Sequence, residues 1–298
     1  MTALCPSRPS RRQPVILPLK HRRYPSAMTL CIAAHTNTDL GLPRIVLCSD
    51  YLVGDDFSVH ENTPKVHLPF LPGLCVMFAG RLEDVQDLIR LYKIRSMRTG
   101  YAINDTYEKL KEELWCGMQE FREWLARCGR KKGQTDAQLL VCGFLQGMPL
   151  IVSVDQSQVS RCEREFSAIG TGAYAAEIML RIRFRSVEST WETRLRQALY
   201  FVYEAKRISE MSPSVGPMTS LIVLEPTNGG LRSYHAGFET LMFFHNQFDR
   251  FGPQPYSDGT TPPWPSVFPE APQRLLSTKD DPSHQPPSPE SPGETGEF

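Results

Sequence analysis

Three polar residues sit where the surrounding sequence is apolar. Thr29 opens the run Leu30-Cys31-Ile32-Ala33-Ala34, Asp50 follows Arg44-Ile45-Val46-Leu47-Cys48-Ser49, and Lys65 opens Val66-His67-Leu68. Together they offer a hydroxyl, a carboxylate and an ammonium. A threonine hydroxyl is a poor nucleophile until a base removes its proton, and a residue at a chain's amino terminus carries such a base in its own α-amine. Taken singly, each residue also has a plain reading: a β-favouring side chain, the start of a turn and a solvated strand end. Thr29 stands apart because it follows Met28. Two readings of residues 1–28, a pro-segment removed on maturation or a start codon placed ahead of the true initiator Met28, both make Thr29 the first residue of the working protein.

The elements that must position these residues follow from periodicity. Thr29–Ala34, Arg44–Ser49, Lys65–Leu68 and Gly73–Ala79 read as short strands, bounded by Pro43, Pro64, Pro69, Pro72 and Gly80. Tight connections between them imply antiparallel pairing. The period then changes: Leu82, Val85, Leu88, Ile89 and Tyr92 follow helical spacing, as do Tyr107, Leu110, Leu114, Met118, Phe121 and Leu125. Asn104 is the expected N-cap of the second helix and Gly129 its stop. The two helices are expected on one face of the sheet formed by the strands before them. Strands return at Ala137–Phe144, Leu150–Asp155 and Phe166–Ile169, and helices at Ala173–Arg183 and Trp191–Ser209. Ser220–Leu224 and Leu231–Tyr234 close as a hairpin across Asn228-Gly229-Gly230. This order predicts an α+β fold in which two antiparallel sheets lie face to face between helix pairs, a four-layer αββα sandwich.

Composition bounds the remainder. Of 25 prolines, five lie in residues 1–28 and twelve in 253–298, so both ends are poor in helix and ladder hydrogen bonds. The predicted organisation is an N-terminal extension at 1–28, one domain at 29–245, and a proline-rich disordered tail at 246–298. Residues 1–28 are Arg-rich and lack acids, yet their prolines spoil the amphipathic helix of a transit peptide and no apolar stretch marks a secretory signal. Lys plus Arg and Asp plus Glu are each 33, which removes a broad electrostatic case for nucleic acid or an anionic membrane as partner. No apolar run approaches the ~20 residues of a membrane-spanning helix. Eight scattered cysteines without a C-x-x-C pair read as reduced thiols of a cytoplasmic protein rather than a zinc or disulfide framework.

The stretches MTLCIAA, RIVLCSDYLVGDD and TPKVHLPFLPGLCVMFAGRLEDVQDLIRLY, in that order, resemble the opening of a proteasome β-type subunit and of the simpler bacterial proteasome-like peptidases. The likeness continues through FSAIGTGAYAAEIM and SPSVGPMTSLIVL and covers roughly residues 29–236. Those families are N-terminal nucleophile hydrolases with an αββα sandwich. The resemblance implies a threonine-type peptidase acting on a peptide or protein substrate without cofactor or metal, in a homo-oligomeric ring, with an ATP-dependent unfoldase as a further partner. It places the nucleophile at Thr29, the family's aspartate at Asp50, its lysine at Lys65 and the oxyanion amide at Gly80. The hydroxyl of the later glycine loop falls on Thr171, and a serine near the last loop on Ser214.

Each assignment has a chemical reason. A free α-amine has an unperturbed pKa of ~7.7–8, so part of it is unprotonated at neutral pH. A Lys65 ammonium beside it would lower that value and steady the alkoxide, while Asp50 would offset the lysine's charge. Thr171 and Ser214 could hydrogen-bond the amine, and the Gly80 amide would meet the tetrahedral oxyanion. The sequence also departs from the family. Met28 replaces the glycine that precedes the threonine in processed precursors, and the aspartate near the last loop is missing, with Glu210 one position out of register and Met211 in its place. Two other readings therefore stand: a catalytically inactive structural subunit of a proteasome-like assembly, and a small-molecule amidase on the same fold.

The remaining candidates carry less. Gly170-Thr171-Gly172 lacks the other glycines and the lysine of a phosphate loop. His35, His60, His67 and His235 show no metal-ligand spacing. Arg127, Arg130, Lys131 and Lys132 read as a solvated helix end, and Arg181, Arg183 and Arg185 as surface or subunit contacts.

Overall fold

The computed structural model describes residues 29–37, 43–54, 59–61, 64–102, 105–130, 135–162, 165–185, 194–212, 214–228 and 230–253. The extension at 1–28 and the chain from 254 onward lie outside the described residues.

Strands β1 (Leu30–Asn37), β2 (Pro43–Asp50), β10 (Phe166–Gly170), β11 (Thr219–Thr227) and β12 (Gly230–His235) form one antiparallel sheet in the order β10-β1-β2-β11-β12. A second is built from β5 (Val66–Leu71), β6 (Leu74–Ala79), β7 (Gln138–Leu145), β8 (Met148–Val154) and β9 (Val159–Arg161), in sequence order. A separate two-stranded ladder of β3 (Leu52–Gly54) and β4 (Val59–Glu61) was not foreseen from the sequence.

Alternation of side chains along each strand distributes them between two cores. Leu30, Ile32 and Ala34 of β1 face the helices, where they meet Ala176 and Leu180 of α3 (Ala173–Arg185) and Ala198, Val202 and Ala205 of α4 (Arg194–Ser209). Cys31 and Ala33 face the other way and join Cys75, Met77, Leu140 and Cys142 in the layer between the sheets. The outer face of the second sheet packs on α1 (Leu82–Thr99) and α2 (Tyr107–Arg127) through Val76, Phe78, Val85, Leu88, Leu114 and Met118. Strands buried on both faces read as continuous apolar runs, which is why β1, β2, β6 and β7 are so plain in the sequence. The four-layer αββα sandwich is the fold.

Several particulars differ from expectation. Of the strands before α1, only β5 and β6 lie in the sheet under α1 and α2; β1 and β2 belong to the opposite sheet, and β7, β8 and β9 complete this one. Chain reversal explains the arrangement: Ala79 leaves β6 opposite Gln138 of β7, so the intervening excursion must return to the end it left, and a pair of helices does so. The N-cap of α2 is Thr106, whose hydroxyl accepts from Lys109 N–H at 3.3 Å; Asn104 falls outside the described residues. Trp191, expected to begin α4, is likewise outside them. A fifth helix, α5 (Phe238–Phe251), runs across the 245/246 boundary drawn from composition. Its Phe244 is buried against Tyr200 and Tyr203 of α4. Among the described residues no helix is long and apolar enough to cross a membrane.

Candidate active site

Pairing of β1 with β2 sets Cys31 opposite Ser49, so Asp50 emerges beside the start of β1. Its Oδ1 accepts from Leu30 N–H at 3.0 Å and from the Thr29 hydroxyl at 3.2 Å. Lys65 lies in the other sheet's layer, immediately before β5, and its Nζ reaches across to donate to both Thr29 Oγ1 and Asp50 Oδ1. Thr29, Asp50 and Lys65 are 2%, 0% and 1% exposed, so the ion pair and the hydroxyl are shielded from water. Away from water an ion pair interacts far more strongly than at a surface, and holds its geometry only where further hydrogen bonds satisfy it. Asp50 meets that condition: its Oδ2 accepts from Gly216 N–H at 2.9 Å. An ammonium that donates to a hydroxyl oxygen cannot also take that hydroxyl's proton. The Thr29 hydroxyl thus accepts from the ammonium and donates to the carboxylate within one buried cluster.

The other expected residues differ in what they touch. Thr171 follows β10, and its hydroxyl donates to the Thr29 carbonyl oxygen at 3.3 Å rather than to the Thr29 nitrogen. Gly170 before it has φ +95°, and a Cβ there would collide with the Thr29 carbonyl, so glycine is required for β10 to lie this close. Gly80, one residue past β6, has φ +111°, and a Cβ would stand 2.6 Å from the Asp136 carbonyl oxygen. It occupies the end of the second sheet nearest β1, since the Cys31 thiol donates to Phe78 O at 3.2 Å. Ser214 is buried on the α4–β11 loop, two residues before Gly216, and makes no hydrogen bond to Thr29 among the described residues.

Cys31 also lies beside the Thr29 hydroxyl. Burial pushes its thiol up to about 12, with the Lys65 charge opposing and the Asp50 charge reinforcing that rise. Cys31 is thus a neutral thiol at ordinary pH, and no thiolate stands beside the Thr29 hydroxyl.

Two groups at the site escaped the sequence reading. Gly216 contributes a backbone amide, and no side-chain pattern signals that. Gln138, whose Oε1 accepts from Gly170 N–H at 3.0 Å, is a polar residue opening an apolar strand, the same signal that singled out Lys65. A cleft of about 220 Å³ adjoins Gln138 and is lined also by Asp155, Ser167, Gly170, Ala173 and Glu177 among others. Three earlier readings change. Arg183 is not a surface residue but is 2% exposed and holds Glu204 of α4, with Nε 2.6 Å from Oε2. Arg130 is not simply solvated, since it pairs with the buried Asp84 of α1. Glu210, near the missing family aspartate, pairs with Lys206 and Arg207, while Met211 is 84% exposed.

No protein-family model matches the chain, and no curated protein matches it. Solved structures do. Anbu (ancestral beta-subunit) from Yersinia bercovieri aligns over 74% of this chain and 94% of its own, with TM-score 0.54 and 17% identity. A helical assembly of the Anbu complex from Pseudomonas aeruginosa aligns over 78% and 99%, with TM-score 0.56 and 22% identity. A Gly-1 mutant of Anbu from Hyphomicrobium sp. strain MC1 aligns over 75% and 93%, at 0.54 and 15%. At these identities the likeness is one of fold.

Proposed function

We propose that this chain is a proteasome-like hydrolase of amide bonds that attacks with the Thr29 hydroxyl once Thr29 is the amino-terminal residue. One observation carries the reading: a buried lysine from one sheet donates to a threonine hydroxyl and to an aspartate from the other sheet. In the proposed reaction the freed α-amine of Thr29 takes the hydroxyl proton while Lys65 stabilises the oxygen left behind. Oγ1 then adds to the substrate carbonyl carbon, and the oxyanion is received by the Gly80 N–H. Collapse of the adduct passes the proton to the departing amine and leaves an ester on Thr29. Water cleaves that ester and restores the hydroxyl. A hydroxyl flanked by a neutral Cys31 thiol and a shared ammonium suits this chemistry.

The likeness to an Anbu protein solved as a helical assembly supports a homo-oligomer. An ATP-dependent unfoldase would feed such an assembly with protein substrates. A second reading, a silent structural subunit, is favoured by the near-complete burial of Thr29 and applies if its nitrogen stays in peptide linkage with Met28. Intact-mass measurement on the protein made from the full sequence, beside a chain started at Met28, separates the two. The hydrolase reading expects a terminus at Thr29, hydrolysis of short peptide amides and a transient acyl adduct on Thr29. Retention of residues 1–28 with no turnover by either form supports the scaffold. Turnover of simple acyl amides but not of peptides makes the protein a small-molecule amidase.

A further inference from the structure

A second buried lysine lies near enough to Asp50 for the two charges to interact. Lys206 of α4 is 0% exposed, and its Nζ donates to Glu210 one turn on and to the Pro217 carbonyl oxygen at 2.7 Å. Pro217 directly follows Gly216, whose N–H donates to Asp50 Oδ2. The loop between α4 and β11 is tied at both of its ends: Val215 N–H bonds Ser212 O at 3.1 Å, and Thr219 pairs with Asp50 in the sheet. Between those ties, the Lys206 bond to Pro217 fixes the stretch that carries the Gly216 amide. An ammonium withdrawn from water at this position needs such acceptors, and removing it would take away the donor that Lys206 supplies to the Pro217 carbonyl and leave Glu210 to Arg207 alone.

We propose that Lys206 is a positioning residue: with Glu210 it pins the 212–218 loop at Pro217 and so delivers the Gly216 amide to Asp50, which in turn orients Lys65 and Thr29. Glu210 then has a role of its own, as counter-charge of the pin rather than as a displaced copy of the family's missing aspartate. Lys206 makes no hydrogen bond to Thr29 or Lys65 among the described residues; it reaches the site through its bond to the loop and through its charge, which Asp50 feels. Its catalytic consequence rests on the hydrolase reading above; its mechanical consequence does not.

The test uses the full chain and two variants, Lys206→Met and Glu210→Gln, with two readouts: exchange of the Gly216 amide hydrogen followed by NMR, and kcat and KM for a peptide amide. Lys206→Met is expected to speed Gly216 exchange about 10-fold and to lower kcat about 10-fold with KM within about 2-fold, the size set by losing one charge-assisted hydrogen bond. Glu210→Gln, at a partly exposed position, should move both quantities the same way by about 3-fold. Wild-type exchange at Gly216 in a folded Lys206→Met overturns the pin, and a raised KM at unchanged kcat overturns the positioning role. If Lys206→Met does not fold, unchanged Gly216 exchange in Glu210→Gln overturns the proposal. Absence of any hydrolysis by the parent protein refutes the hydrolase reading, while the exchange measurement still decides the pin.

Discussion

Among the described residues two ion pairs have both partners buried, and they are built differently. Arg183 and Glu204 join α3 to α4 side on, with two nitrogens of the guanidinium on two oxygens of the carboxylate. Lys65 and Asp50 join the two sheets, and there the single ammonium is divided between the carboxylate and the Thr29 hydroxyl. Burial is nearly the same in both. A planar fork against a carboxylate satisfies both ions mutually, whereas a compact ammonium with three donors has capacity left for a neutral oxygen. Burial of charge alone therefore does not distinguish the two pairs; sharing of the charge with a neutral hydroxyl does.

The largest effect should break the comparison at its reactive side. Lys65→Met is expected to lower kcat by about 10³-fold or more, the scale of losing electrostatic stabilisation of a developing anion. Arg183→Met should leave turnover per folded molecule within about 2-fold; peptide hydrolysis normalised to folded protein checks both. Thr29→Ala should abolish turnover while keeping the fold, as read by circular dichroism.

Stability sharpens the contrast next. Arg183→Met strands Glu204 and should cost about 3–5 kcal/mol in urea unfolding. Replacing both partners, Arg183→Met with Glu204→Leu, should bring stability back to within about 1 kcal/mol of the parent. The matching double change Lys65→Met with Asp50→Leu should recover neither activity nor full stability, because it leaves the buried Leu30 and Gly216 amides without their acceptor.

A smaller effect concerns pH. Burial raises the Glu204 pKa from 4.5, with Arg183 opposing the shift. The folded chain therefore holds this proton more tightly than the unfolded chain, and the Glu204 contribution to stability falls as pH rises from about 4.5 through the folded pKa. Urea titrations across that window should show this slope flattened in Glu204→Gln. The smallest effect is on thiols: at pH 8 a maleimide should modify the exposed Cys128 readily and spare Cys31 and Cys48, both pushed up to about 12 chiefly by burial.

Legibility of the chain followed the physics of each element. Strands β1, β2, β6 and β7 and helices α1 and α2 were plain because burial on two faces or on one stripe writes a period into the sequence. Helix α5 was missed although Leu241, Phe244 and Phe248 have helical spacing, because the proline-rich run after it set the boundary too early. Arg183 was misread for a related reason. Its alternation with Ile182 and Phe184 is that of a surface, and only the approach of α4 gives it a buried carboxylate.

The sequence by itself determined the αββα layering and picked out Thr29, Asp50 and Lys65, since a polar residue that interrupts an apolar run must be satisfied by something. Which atoms satisfy it is a matter of long-range approach. Only the tertiary structure decided that Lys65 spans the sheets to Thr29, that Thr171 addresses a carbonyl, and that the Gly216 amide faces Asp50. These contacts join positions up to 166 residues apart in the chain, and a backbone amide carries no mark in the sequence of where it will point.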